Sequence, residues 1–196
     1  MNDIVFYQTS LQEARELADL TSLISDMKQV ADFTKLNLSL SEEQEIPKIA
    51  LFKAALITYR RCFTSGVRSR LTRDDIISLP GEPGEFHDLV RNLTDKLIAH
   101  SVNPFEGALA GVAVQDKSII GTISFGVELC GWQPIGLRQL AILADMIVQK
   151  VLTPRLEKAK EALLAAAKAI PIGEITSTPV IRYTAPVPDQ AGNRRA

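Results

Sequence analysis

ALAGVAVQDKSIIGTISFGVEL, residues 108–129, decides the fold class because it breaks the period of the chain on either side of it. Its two runs, ALAGVAVQ and SIIGTISFGVEL, are rich in Val, Ile, Thr and Phe and are separated by Asp116-Lys117, a pattern that predicts a β-hairpin with glycine-broken strands. Everything around it has helical spacing. The chain therefore reads as α+β, mostly α: a helical bundle of about four main helices, with a hairpin inserted before the last long one.

Upstream, Ser10-Leu11-Gln12-Glu13 has the form of a capping box, and Leu11, Ala14, Leu17, Leu20, Leu23, Ile24, Met27, Val30 and Ala31 supply an apolar face. This first helix is expected to reach Phe33, with a polar connection over residues 37–46. Pro47 then suits the first residue of a second helix, whose inward stripe is Ile49, Phe52, Leu56, Tyr59 and Phe63. After PGEPG at residues 80–84, Phe86, Leu89, Val90, Leu93 and Leu97 mark a third helix ending near His100. Downstream, Leu137, Leu140, Ala141, Ala144, Ile147, Val148 and Val151 mark another, which Pro154 must kink or restart with Thr153 as a cap. Trp132 is expected to pack the hairpin onto that helix. Residues 1–170 read as one domain, and the proline-rich remainder, 171–196, as an extended and disordered tail.

Of the 196 residues, 46% are hydrophobic and 23% charged, and the net charge of -1 gives no global attraction to nucleic acid or to an anionic membrane. Apolar runs stop short of the ~18 residues a membrane span needs, and MNDIVFYQTS lacks the features of a signal peptide, so a cytoplasmic protein with no membrane partner is expected. Cys62 and Cys130 have no C-x-x-C spacing and read as buried, reduced thiols. Phosphate-binding glycine loops, a nucleophile elbow and zinc-ligand spacings are absent from the sequence; no metal and no cofactor is expected.

Two features remain as candidate chemistry. Arg60, Arg61, Arg68, Arg70 and Arg73 precede the next acid, Asp74, and read either as a solvated helix end or as a phosphate-facing patch. Arg61 should point to water. The second feature is the helix that holds both histidines, with Arg91-Asn92 and the phrase Asp95-Lys96-Leu97-Ile98-Ala99-His100-Ser101. His87, near the helix start, reads as structural. His100 also suits a helix-terminal donor to the last carbonyls.

An arginine–polar pair followed by a histidine near the end of a helix resembles the motif of HEPN-type helical proteins, which include RNase toxins and abortive-infection proteins of prokaryotes. The closing phrase is similar to one in uncharacterised bacterial helical proteins. The likeness spans the two helices from Pro47 to Ser101. It implies metal-independent cleavage of RNA, often across a homodimer, with histidine moving the proton of the 2′-hydroxyl and a cation stabilising the phosphorane. Arg91 and His100, with eight residues between them, fall about 180° apart on a regular helix, and Thr94 occupies the position that fits the spacing. The cation at His100 is therefore expected from Lys96 or Arg60, with Arg68, Arg70, Arg73 and Arg91 as binding residues and RNA as a possible partner. The alternative is a noncatalytic interaction or assembly module, in which the hairpin and the long C-terminal helix form a protein interface. Self-association is expected in either case.

Overall fold

The structure, a computed structural model, describes residues 4–66, 68–99, 106–128 and 131–182. Helix α1, Gln12–Ser39, is its spine, about 42 Å long at 1.5 Å per residue. Leu20, Leu23, Met27, Val30, Ala31 and Thr34 recur at helical spacing and are buried. Against this face pack α2, Glu45–Arg61, α5, Pro134–Ile147, and α6, Thr153–Lys168. The third long element of the first half, α4, Gly84–Ala99, lies on α2 and buries Val90, Leu93 and Leu97. The chain is thus mostly helical with a small sheet, as the hydrophobic periods require. Among the described residues no helix is long and apolar enough to cross a membrane.

Several boundaries depart from the local signals. Leu11, not Ser10, is the N-cap of α1 and makes no side-chain cap, while the Thr9 hydroxyl accepts from the Leu11 N–H at 3.3 Å. The helix also runs six residues past Phe33, because its polar end faces inward. Thr34 Oγ1 donates to the Val30 carbonyl at 2.9 Å, and buried Asn37 Nδ2 donates to the Lys48 carbonyl at 2.5 Å, tying α1 to α2. Pro47 is the third residue of α2, still within the first turn where an absent N–H costs nothing. A short helix that periodicity did not suggest, α3 at Arg73–Ile77, starts on a full capping box between Thr72 and Asp75.

Pro154 neither ends nor restarts the last long helix. Residues Val148–Leu152 form a π-helical turn, and Thr153 has helical angles of φ -61 and ψ -47, so it caps nothing. Widening the backbone by one residue just ahead of the proline accommodates its ring and its missing donor without breaking the rod. Residues 171–182 also differ from the expected tail. Ile172–Thr176 forms α7, and Gln8 N donates to the Pro179 carbonyl at 2.7 Å while Ile181 N donates to that of Phe6 at 2.8 Å. Residues 6–8 thus pair with residues 179–181.

The hairpin is where expected, with β1 at Glu106–Gln115 and β2 at Ser118–Glu128. Its turn residues Asp116 and Lys117 both have positive φ, 48° and 67°, as a two-residue primed turn demands. Trp132, however, does not anchor it. The indole stacks on Phe86, with centroids 5.4 Å apart and planes 10° apart, and stands 6.5 Å from Phe52, so it joins α2, α4 and the start of α5. The hairpin projects instead: from 107 to 126 every position is exposed except Ala113, which is half-buried.

Close approach of the indole fixes Gly136. A methyl group there would lie 2.5 Å from Trp132 Cε2 and 2.8 Å from Nε1. Gly136→Ala should therefore destabilise the fold by about 1–3 kcal/mol in urea unfolding, although alanine in a helix interior ordinarily stabilises by about 1 kcal/mol. A gain in stability would mean that Trp132 is not held against α5.

Candidate functional site

The arginine-rich turn is built by a buried acid. Asp26 lies on the inward side of α1 with its side chain only 6% exposed, a costly place for a carboxylate without partners. Arg61 Nη2 bonds to its Oδ1, and Arg68 Nη2 to Oδ2 at 3.0 Å. The Leu71 N–H donates to the Cys62 carbonyl at 2.9 Å, and the Ser69 N–H donates to Asp19 Oδ2 at 2.8 Å, closing the chain onto α1. Arg61 was expected to point to water; its long stem lets an exposed helix position reach an inward carboxylate.

The other arginines extend the pattern. Arg60 crosses to α4 and makes a two-point contact with Asp95, at 2.8 and 3.4 Å, next to exposed Lys96. Arg73 does the same with Asp88, its Nη2 standing 2.8 Å from Oδ2. Arg70 is exposed, and Arg91 is half-buried with its Nε lacking a hydrogen-bond partner. Among the residues expected to serve RNA, the structure thus brings Arg60 to the last turns of α4, and directs Arg68 and Arg73 at carboxylates. His100 lies outside the described residues, as does Cys130.

A shallow cleft of about 510 Å³ opens beside Asp26, lined by Ser22, Ser25, Arg61, Thr64 and Arg68 among others. Burial, aided by the Asp26 carboxylate, pushes the free Cys62 thiol up to about 12, so it carries no nucleophilic thiolate near neutral pH. Arg155 pairs with Asp75, joining α3 to α6. Burial would raise the Asp75 carboxyl, but bonds from the Thr72 backbone and from Arg155 outweigh it and hold the group below its usual range.

His87 is fully buried between Tyr59 and Phe63, with Nδ1 2.8 Å from the Tyr59 hydroxyl and Nε2 unpartnered. Burial first, and then the Arg91 charge, lowers its pKa to about 4, so the ring is neutral in the core. Burial likewise pushes the Tyr59 phenol well above its usual range. This pair is a sealed polar contact between α2 and α4, in line with the structural role read for His87.

Among the described residues, seven exposed large apolar side chains belong to the hairpin: Leu109, Val112, Val114, Ile119, Ile120, Ile123 and Phe125. Register sets Leu109 opposite Phe125 and Gly111 opposite Ile123 on one face, with Ala108 opposite Gly126, Ala110 opposite Ser124 and Val112 opposite Thr122 on the other. Leu109, Ile123 and Phe125 are each at least half exposed. No charged residue occurs between Glu106 and Asp116 or between Lys117 and Glu128. No protein-family model, curated protein or solved structure matches the chain, so its surfaces must speak for its function.

The Asp26 clamp makes an asymmetric prediction. The pair Arg61→Ala and Arg68→Ala strands a buried carboxylate and should cost about 3–5 kcal/mol. Asp26→Ala should cost less, about 1–3 kcal/mol, because the guanidinium groups left behind can rehydrate; urea unfolding reads both. His87 predicts a pH dependence. Its folded pKa lies below the unfolded value, so the unfolded chain binds the extra proton between about 6.5 and 4, and stability falls as pH drops through that window. The loss should approach roughly 3 kcal/mol, and denaturation of His87→Gln across the same pH range should show a flatter profile.

Proposed function

We propose that the protein is a noncatalytic assembly module that engages a protein partner through its hairpin. The observation that carries this reading is a two-stranded arm, uncharged between root and tip, apolar on the face of Leu109, Ile123 and Phe125, and exposed at every position from 107 to 126 except Ala113. An isolated two-stranded hairpin is marginal in water, and a contiguous apolar surface rimmed by charge at root and tip marks an interaction site. The described interior supports the same conclusion. His87 is sealed, Cys62 is held as a thiol, and four of the five arginines of the turn serve ion pairs that fasten α1, α2 and α4.

The HEPN-type ribonuclease expectation rests on His100 together with Arg60 or Lys96. Arg60 reaches the helix that ends at His100, but its guanidinium is engaged by Asp95. The arm is the stronger lead because its exposure has no counterpart in the demands of the fold.

Replacing Leu109 and Phe125 together by Asp tests the assembly role. Each side chain contributes about 1.5–3 kcal/mol when fully buried, so binding should weaken by ~100-fold or more. In extracts of cells that make the tagged chain, the native mass should fall to that of the 21.5 kDa monomer, while the purified variant keeps its unfolding midpoint because the arm supports no part of the bundle. An unchanged native mass would remove the arm from the function.

A further inference from the structure

We infer that the partner of the arm is a second copy of this chain, with the two copies exchanging arms so that the Leu109, Ile123 and Phe125 face of each lies on helix α5 of the other. This rests on the assembly reading above and adds the identity of the partner and the surface that receives the arm.

Area points to reciprocity. A strand pair ten residues long offers a face of ~33 by ~10 Å, so covering one face buries ~660 Å² counted over both partners. That is about half of what a specific complex needs, which starts near ~1,200 Å². One arm laid on an unrelated globular surface falls short, whereas two arms exchanged about a twofold axis reach ~1,300 Å² with the same contact used twice.

Charge and pattern point to the receiving surface. The arm has no charged side chain between root and tip, so its receptor must be uncharged as well. On α5, Ile135, Gln139 and Ile142 are exposed, uncharged and within about 60° of one another at 100° per residue, with half-buried Met146 continuing the stripe and Arg138 beside it. Ile135 and Ile142 are each 58% exposed although the opposite side of the helix forms the core. Arm root and stripe are close in sequence, separated by residues 129–133, so a single twofold axis beside them can place both contacts.

Edge chemistry argues for protein over lipid. Both outer strand edges of the arm present unpaired backbone groups, which hydrocarbon cannot satisfy. Strand β1 is the regular edge, because the bulge at Ala113/Val114 leaves Ile120 of β2 without an opposite residue.

The experiment is sedimentation equilibrium of the purified full chain, wild type beside Ile123→Asp on the arm and Ile142→Asp on the stripe. Far-UV circular dichroism confirms that each variant keeps its helices. The wild type should sediment at twice the 21.5 kDa chain mass, and each variant should dimerise about 10- to 100-fold more weakly. A monomeric wild type at ~50 µM, far above the concentration at which a standard interface dissociates, overturns the second-copy assignment. If the native mass in cell extracts still depends on Leu109 and Phe125 in that case, the assembly reading survives with a different protein partner. A dimer indifferent to Ile142→Asp overturns the receiving stripe. Flotation with phosphatidylcholine–phosphatidylglycerol vesicles that is lost in Ile123→Asp overturns the inference in favour of a bilayer.

Discussion

A carboxylate on the inward side of a helix has to be compensated, and in this protein the compensation of Asp26 organises the first half of the chain. Arg61 at the end of α2 and Arg68 in the following turn both reach it, while Ser69 is tied to Asp19 one helical stretch earlier. The turn is thereby pinned along α1, which fixes where Leu71 enters the core and where α3 begins. The desolvation cost of Asp26 is met by two guanidinium groups that remain partly solvated, an arrangement that holds three segments together.

The same economy of charge recurs around α4. Arg60 and Arg73, from either side of the turn, grip Asp95 and Asp88, so the helix is fastened at two points along its outer side. Its inner side carries Val90, Leu93 and Leu97, and the polar contact between His87 and Tyr59. A neutral imidazole in that position sets the register of α4 against α2 as an apolar residue could not, because the hydroxyl and Nδ1 meet in one geometry only. Trp132, stacked on Phe86 and tilted against Phe52, then closes the end of the bundle and sets the start of α5 at Gly136, where no side chain fits.

With those contacts made, the helical body is complete without the hairpin. Among the described residues the arm contributes none of the core, which the helices form among themselves. A second region of uncovered apolar surface follows the same logic on α5. Its buried side meets α1, and the isoleucines of the opposite side, Ile135 and Ile142, are covered by no element among the described residues. Function is sought where folding has left apolar surface over.

Periodicity alone determined the architecture: the helical stripes of α1, α2, α4 and α5 and the change of period at residues 108–129 are local properties, because side-chain direction repeats at 3.6 in a helix and 2 in a strand. The sequence also placed the turn at Asp116-Lys117, and the position of His87 near a helix start marked it as structural. Asp26 was legible in principle, as an acid in SDMKQV one residue before the inward Met27, but its two partners lie 35 and 42 residues away and local patterns carry no such information. The arginines looked like a surface patch for the same reason: their acceptors, Asp26, Asp88 and Asp95, come from other helices. Pro154 looked like a break because its accommodation depends on the turn before it widening against a packed neighbour. Whether the hairpin lies on the bundle or stands away from it was a tertiary decision, since alternation tells which residues share a face and only packing tells what covers that face.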